Sequence, residues 1–364
     1  FKQKTAYEIS LGLVGSEMCI RDRYIEEQGN VDVLTYGDLP DPIVKSNEVK
    51  IKVKACSINR LDLFARAGEK GVRLNLKNPH VLGADVAGDV IECGDMVTDF
   101  FVGDRVVVNP HISCQKCKNC KLGAEELCLQ SNFLGMTSNG GYAEYTTVPF
   151  YNVVHIPDSI SYIEAAAAPT VFIPCWNMLF RKAKLQPNEK VLVVSASSGI
   201  GTAAIQLAKT ISGVEIVATT SNLYKAQLIK EMGVNDVLLH TDGNLNNKLM
   251  EITNNEGFNV VIDHVGLESW LYGIQTLAKG GRYCVCGVTS GHKVNLHLGS
   301  LIKNSQTVCG VFMGNMADLH NVINLISNKK ILPVIADTMP LKEVKRAHKM
   351  LEEKNIVGKL VITV

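Results

Sequence analysis

No apolar run in this sequence approaches the roughly 18 residues needed to span a bilayer, so the chain is not read as a membrane protein. Charge of one sign is missing too: 37 basic residues stand against 36 acidic ones, a formal net charge of +1. Without a basic block there is no electrostatic footprint for nucleic acid or an anionic membrane surface. No repeat and no low-complexity segment appears, which removes solenoids and linker-like chains. A soluble, compact protein is left. Its 364 residues are long for one core, and at roughly 150 residues per domain they point to two.

The opening stretch "FKQKTAYEISLGLVGSEMCIRDR" holds basic residues followed by an apolar patch, "ISLGLVG". The patch is short and no A-x-A-like cleavage site follows it, which argues against a secretory signal. Residues 8–23 resemble a translated sequencing adaptor. Residues 1–23 are therefore set aside as a non-native leader, expected to be loosely ordered, with "YIEEQG" from Tyr24 as the remnant of an opening strand.

Beyond it, "EVKIKVKA" alternates strictly, with Val49, Ile51, Val53 and Ala55 on one face and three lysines on the other, as a half-buried strand does. By the same alternation Cys56 falls among the lysines. Gly-punctuated β segments continue to about His155. Then "SYIEAAAAP" places Ser161 as N-cap and Glu164 three residues on, a capping box before an alanine run. The second half alternates continuous apolar runs, among them "VLVV" (191–194), "EIVA" (215–218), "VVI" (260–262) and "YCVCGV" (283–288), with helical stretches. Uninterrupted β runs between helices predict a parallel sheet covered on both faces, a doubly wound dinucleotide-binding domain.

At its first strand-to-helix turn the chain reads "VLVVSASSGIGTAAIQLAK". Small residues there let the backbone approach a pyrophosphate, and the helix N-terminus supplies free N–H groups and partial positive charge. Ala196, Ser198, Gly199, Ile200 and Gly201 are the candidate phosphate cradle. One strand later an acidic residue would hold the ribose of NAD. None stands in "VATTSNLYK"; Thr220, Ser221 and Lys225 occupy the place, and they predict NADP(H) over NAD(H). The competing reading of Lys225 is a solvated helix charge.

Four of the eleven cysteines fall within "CQKCKNCKLGAEELC". Cys114, Cys117, Cys120 and Cys128, spaced C-x2-C-x2-C-x7-C, predict one structural zinc. Four thiolates satisfy tetrahedral zinc and leave no open position for water or substrate. A ferredoxin-type iron–sulfur run would close with x3-C-P, which is absent. Disulfides are disfavoured in a chain that reads as cytoplasmic. Cys284, Cys286 and Cys309 sit on or near predicted core strands and read as inert buried thiols.

The cysteine lobe, "GDRV", "GGYAEY", the capped alanine helix, the nucleotide domain and the closing "VGKLVITV" together resemble the medium-chain dehydrogenase/reductase superfamily over residues 24–364. The resemblance implies an α/β chain: a GroES-like β domain (24–158, completed by about 325–364) plus a Rossmann domain with a doubly wound parallel sheet (159–324), and an active site in the cleft between them. Zinc-type alcohol dehydrogenases of the family hold a second, catalytic zinc through Cys, His and Cys. Their positions match Asn59, Ala84 and Thr170 here, so all three ligands are missing. The zinc-free quinone and enoyl reductases carry an N-x-x-D strand end, which Asn59 and Asp62 resemble, and these two are the candidate catalytic residues. An Asn that caps a turn and an ion pair of Asp62 with Arg60 or Arg66 are the structural alternatives. By family position Val265, Gly287 and Val288 border the nicotinamide. The resemblance thus implies an NADPH-dependent reductase of activated double bonds or quinones. A zinc-free alcohol dehydrogenase and a non-catalytic NADPH-binding protein are the other readings. Partners are a small-molecule substrate and a second copy of the chain, as homodimer or homotetramer, through the edge strand in "QTVCGVFM" (306–313).

Overall fold

The computed structural model describes residues 19–76 and 79–364. Strands β1 (Cys19–Ile25) and β2 (Thr35–Pro40) pair antiparallel, with Cys19 opposite Pro40 and Tyr24 opposite Thr35. Residues 19–23, expected above to be loosely ordered, are thus part of a strand. Backbone pairing fixes them, and Arg23 N donates to Tyr142 O at 2.7 Å. The remainder of that leader, 1–18, lies outside the described residues.

The first domain is built on β3 (Glu48–Ser57), which buries Val49, Ile51 and Val53 in one cluster as its alternation requires, whereas Ala55 is buried in the other cluster and Lys50, expected on the exposed face, is 6% exposed. Helix α1 (Arg60–Ala67) follows, and then β4 (His80–Val81), β5 (Asp85–Cys93), β6 (Arg105–Val108), β7 (His111–Ile112), β8 (Asn132–Phe133), β9 (Tyr145–Pro149) and β10 (Val153–His155). The ladder from β3 to β5 steps from Val53 opposite Gly88 to Ala55 opposite Ala87, so Lys54 is an extra residue on its strand. Such a bulge advances the alternation by one place. Cys56 is consequently fully buried in the same core as Ile51 and Val53, and not among the lysines.

Helix α2 (Tyr162–Ala166) opens on the expected capping box: Glu164 N donates to Ser161 Oγ at 3.2 Å, and Ser161 N to Glu164 Oε2 at 2.8 Å. Helix α3 (Pro169–Trp176) continues as a wider π turn over Asn177–Lys182. Ala165 to Ala168 are fully buried and pack in one cluster with Ala55, Ala84 and Ala87. Small side chains on both faces let the two domains approach closely beneath the cleft.

The second domain is a six-stranded, all-parallel sheet of β11 (Lys190–Val193), β12 (Glu215–Thr220), β13 (Asp236–Leu239), β14 (Phe258–Asp263), β15 (Leu277–Val285) and β16 (Thr307–Gly310). Its spatial order is β13-β12-β11-β14-β15-β16, so the strand order reverses at β11 and the ligand crevice of such sheets lies at its carboxyl end. Helices α4 (Gly199–Ala208) and α5 (Leu223–Glu231) follow β11 and β12, and α6 (Met316–Ser327) follows β16. The chain then returns: β17 (Ile335–Pro340), α7 (Val344–Glu352) and β18 (Lys359–Thr363), with β18 antiparallel to β3 and parallel to β17. The first domain's main sheet thereby runs β10-β6-β5-β3-β18-β17. No helix among the described residues is long and apolar enough to cross a membrane.

Candidate active site

Between β7 and β8 the four lobe cysteines turn their sulfurs inward, all within 4.8 Å of one another. Cys117 Sγ lies 3.4 Å, and Cys114 Sγ 3.9 Å, from Cys120 Sγ. Zinc bound at about 2.3 Å in a tetrahedron would set its sulfurs about 3.8 Å apart. The donor set therefore fits a tetrahedral, thiolate-binding metal with every position filled by protein. Backbone N–H groups face the sulfurs: Cys114 N reaches Cys128 Sγ at 3.3 Å and Cys117 N reaches Cys114 Sγ at 3.4 Å. The Cys120 amide holds the Cys117 thiol down to about 6. The lobe is also tied to the second domain. Arg181 donates to Glu126 Oε1 at 2.6 Å in the lobe and to Asp318 Oδ2 at 3.0 Å on α6, and Asn315 Nδ2 donates to Gly123 O at 2.8 Å.

The nucleotide turn has the local shape its residues dictate. Ser198 caps α4, its Oγ accepting from Gly201 N at 2.9 Å. A Cβ at Gly201 would sit 2.4 Å from Ala196 Cα, so helix and strand meet only because that residue is glycine. Ala196 is buried and Gly199 and Ile200 form the first turn, which leaves backbone N–H groups for an anion. Ser198 Oγ is also 2.8 Å from His264 Nε2. The next residue, Val265, belongs to the loop after β14; Ser290 N donates to its carbonyl at 2.9 Å, drawing Gly287 and Val288 alongside. A Cβ at Gly287 would lie 2.7 Å from His264 O, another approach only glycine permits.

At the end of β12 the expected hydroxyls divide: Thr220 is fully buried, its Oγ1 without a partner, while Ser221 is half-buried. Lys225 is not the solvated helix charge weighed above. It is 5% exposed, and its Nζ donates to Lys354 O. Burial, and secondarily the neighbouring Arg60 and Lys354, hold its pKa below the ordinary lysine value. Arg60 donates to Leu351 O at 3.2 Å. The 351–354 segment therefore collects three cations beside the nucleotide crevice.

In the cleft, Asn59, Asp85 and Thr170 come together. Asp85 Oδ2 accepts from Ser57 Oγ at 2.7 Å, Asn59 Nδ2 at 2.9 Å and Lys359 Nζ at 3.1 Å. Its Oδ1 accepts from Thr170 N at 3.0 Å, one of the free N–H groups at the start of α3. Thr170 Oγ1 lies 2.6 Å from both Asp85 Oδ2 and Asn59 Oδ1. Lys359 Nζ also donates to Asn59 Oδ1. An amide, a hydroxyl and an alanine methyl, with an ammonium among them, do not fit a catalytic metal. Among the described residues the lobe cysteines form the one cluster of ligands able to hold an ion. Cys56 and His80, the nearest cysteine and histidine in sequence to the missing ligand positions, form no ligand cluster, and His80 in β4 has its Nε2 3.0 Å from Gly135 O.

Asp62 makes neither expected ion pair. Arg60 points to Leu351, and Arg66 donates to Glu352 Oε1 at 2.6 Å. Its carboxylate instead accepts from Asn59 N at 2.7 Å and Gly83 N at 3.2 Å, fixing the entry to α1. Complete burial pushes its pKa up to about 7 from 3.8. A carboxyl that binds its proton more tightly when folded contributes stability fully below about pH 4 and loses it as pH rises through about 7. Relative to wild type, Asp62→Asn should therefore gain stability between pH 5 and pH 8, on the order of a few kcal/mol, measured as the difference in urea midpoints.

Sequence reasoning passed over Lys359 and Ser57, and it considered Arg60 only as an ion-pair partner of Asp62. A single lysine in the apolar run "VGKLVITV" was the available signal, since a buried lysine needs a partner. A family description for the alcohol dehydrogenase GroES-like domain matches residues 45–158, and one for zinc-binding dehydrogenases matches residues 199–328. The chain is 31% identical to an NAD-dependent alcohol dehydrogenase of Sulfurisphaera tokodaii, covering 89% of this chain and 95% of that protein. It is 31% identical to an acryloyl-coenzyme A reductase of Metallosphaera sedula, covering 90% and 95%. A solved NAD-dependent alcohol dehydrogenase superposes with a TM-score of 0.90 at 33% identity over 94% of this chain and 99% of that one. With the β domain, the parallel sheet and the cysteine lobe in their places, these matches make the chain an oxidoreductase of the medium-chain dehydrogenase/reductase superfamily, in its zinc-binding, alcohol dehydrogenase-like part.

Proposed function

We propose that this protein is an NADPH-dependent reductase of carbon–carbon double bonds conjugated to a carbonyl, or of quinones, with one structural zinc. A single observation carries the reading: Asn59, Thr170 and the Asp85–Lys359 pair fill the place where a metal would stabilise an alkoxide. Alcohol oxidation at neutral pH needs that support. Reduction of an enone needs positioning and hydrogen-bond donors at the oxygen that becomes an enolate. A bound reduced nicotinamide supplies the hydride. The similarity to an acryloyl-coenzyme A reductase supports the same chemistry.

The α4 turn would hold the pyrophosphate, with Val265, Gly287 and Val288 beside the nicotinamide. No carboxylate at the end of β12 repels a 2′-phosphate, and Arg60, Lys225 and Lys354 supply positive charge nearby. The edge of β16, paired only with β15, is the surface for a second copy, flanked by exposed Phe312 and Ile302. Light scattering should give twice the chain mass.

The second reading, alcohol dehydrogenase, draws on the names of the relatives. NADPH oxidation with a small enone, an acryloyl thioester and a benzoquinone, set against NADP+ reduction with alcohols, decides between them. The expected result is turnover of the first set, with kcat/KM for NADPH at least roughly tenfold above NADH. Turnover of alcohols alone rejects the proposal, and cofactor binding without any turnover favours the non-catalytic alternative.

A further inference from the structure

Lys359 opens β18 and is 5% exposed. Its stem crosses the nucleotide helix so closely that a Cβ at Gly199 would lie 2.9 Å from Lys359 Cδ. Its ammonium turns back to its own domain, on Asp85 Oδ2 at 3.1 Å and on Asn59 Oδ1. One side chain thus spans from the cofactor turn to the catalytic domain.

The donors around it are nearly used up. Asp85 Oδ2 accepts from Ser57, Asn59 and Lys359, and Oδ1 from the backbone of Thr170, so the carboxylate is held by its own surroundings. The one proton of the Thr170 hydroxyl serves Asp85 or Asn59. An ammonium has three N–H donors. Lys359 spends two on the described residues, Asn59 and Asp85, which leaves one N–H with positive charge behind it beside the half-buried Asn59 and Thr170.

The structure assigns Lys359 the role of cationic donor to the substrate oxygen, in the position where metal-dependent relatives would use an ion. This deepens, and rests on, the reading of the chain as a reductase of conjugated carbonyls. When hydride reaches the β-carbon, the former C=C pair forms a double bond between the α-carbon and the carbonyl carbon. The carbonyl π pair moves to oxygen, giving an enolate. The third N–H of Lys359 donates to that oxygen and keeps its proton. A proton from water then adds at the α-carbon, leaving the saturated carbonyl compound and oxidised nicotinamide.

The test uses the full-length protein saturated with NADP+ and, as a stable oxyanion probe, 4-nitrophenol. Wild type should bind the phenolate form and lower the probe's apparent pKa. Lys359→Met should bind it at least roughly tenfold more weakly and lower kcat on an enone by roughly a hundredfold, the cost of losing one oxyanion donor. Its dissociation constant for NADPH should stay within about threefold. Because Lys359→Met strands a buried carboxylate, Lys359→Met/Asp85→Asn is measured alongside it, as a folded protein with neither charge. Undiminished phenolate binding in either variant overturns the assignment whether or not wild type reduces enones. So does a loss confined to NADPH affinity, which would make Lys359 a cofactor ligand. If phenolate binding falls as expected while wild type reduces no enone or quinone, the oxyanion site stands and the substrate class proposed above fails.

Discussion

Protein purified without added metal should contain one zinc per chain, and Cys120→Ser should contain none. The expected loss is large because four thiolates at tetrahedral spacing are organised by the metal they hold. Structural zinc sites of this kind release about 10–16 kcal/mol on binding. Between β7 and β8 the lobe has little else to hold it: one four-residue helix and one short 3-10 turn, with Leu122 and Leu129 exposed. Without the ion, burial presses the Cys120 thiol up to about 12, whereas a metal requires its thiolate. The variant should be cut by protease within residues 113–131 while both sheets remain folded. Elemental analysis with limited proteolysis checks this. Two zinc atoms per wild-type chain would instead mean that the cleft holds a metal.

Asp85→Ala should destabilise the protein by about 3–5 kcal/mol, the range for removing one partner of a buried ion pair. Asp85 is fully buried and takes hydrogen bonds from Ser57, Asn59, Thr170 and Lys359 at once. Its loss leaves an ammonium at 5% exposure with only an amide oxygen to face, and strips α3 of the carboxylate at its N-terminus. A mutant cycle with Lys359→Met gives a direct check. Removing both charges should recover most of the loss seen in urea midpoints, and an additive double variant would mean that the pair is not coupled.

These two predictions differ in how much of them the sequence disclosed. The zinc lobe is local: four cysteines within fifteen residues carry their own geometry, and the spacing alone excluded the ferredoxin pattern. The same holds for the nucleotide turn and the Ser161 capping box, each a short-range pattern of strand, turn and helix. The cleft is non-local. Asp85 meets Lys359 only because β18 returns to pair with β3, so nothing near Asp85 in the chain announces an ammonium. Cys56 was misplaced by a single extra residue, since strict alternation cannot register the bulge at Lys54. For Lys225 the competing reading, a solvated surface charge, stayed open because helix periodicity does not show that the 351–354 segment will fold over it.

The salt link through Arg181 gives the lobe a mechanical meaning. Glu126 rides on the four-cysteine loop and Asp318 on the helix behind the last Rossmann strand, and one guanidinium grips both. Asn315 adds a second tie to Gly123. The lobe is therefore a strut bracing one wall of the cleft against the other. By reciprocity, whatever factor metal loss takes from cofactor affinity, bound cofactor must return to the grip on the metal.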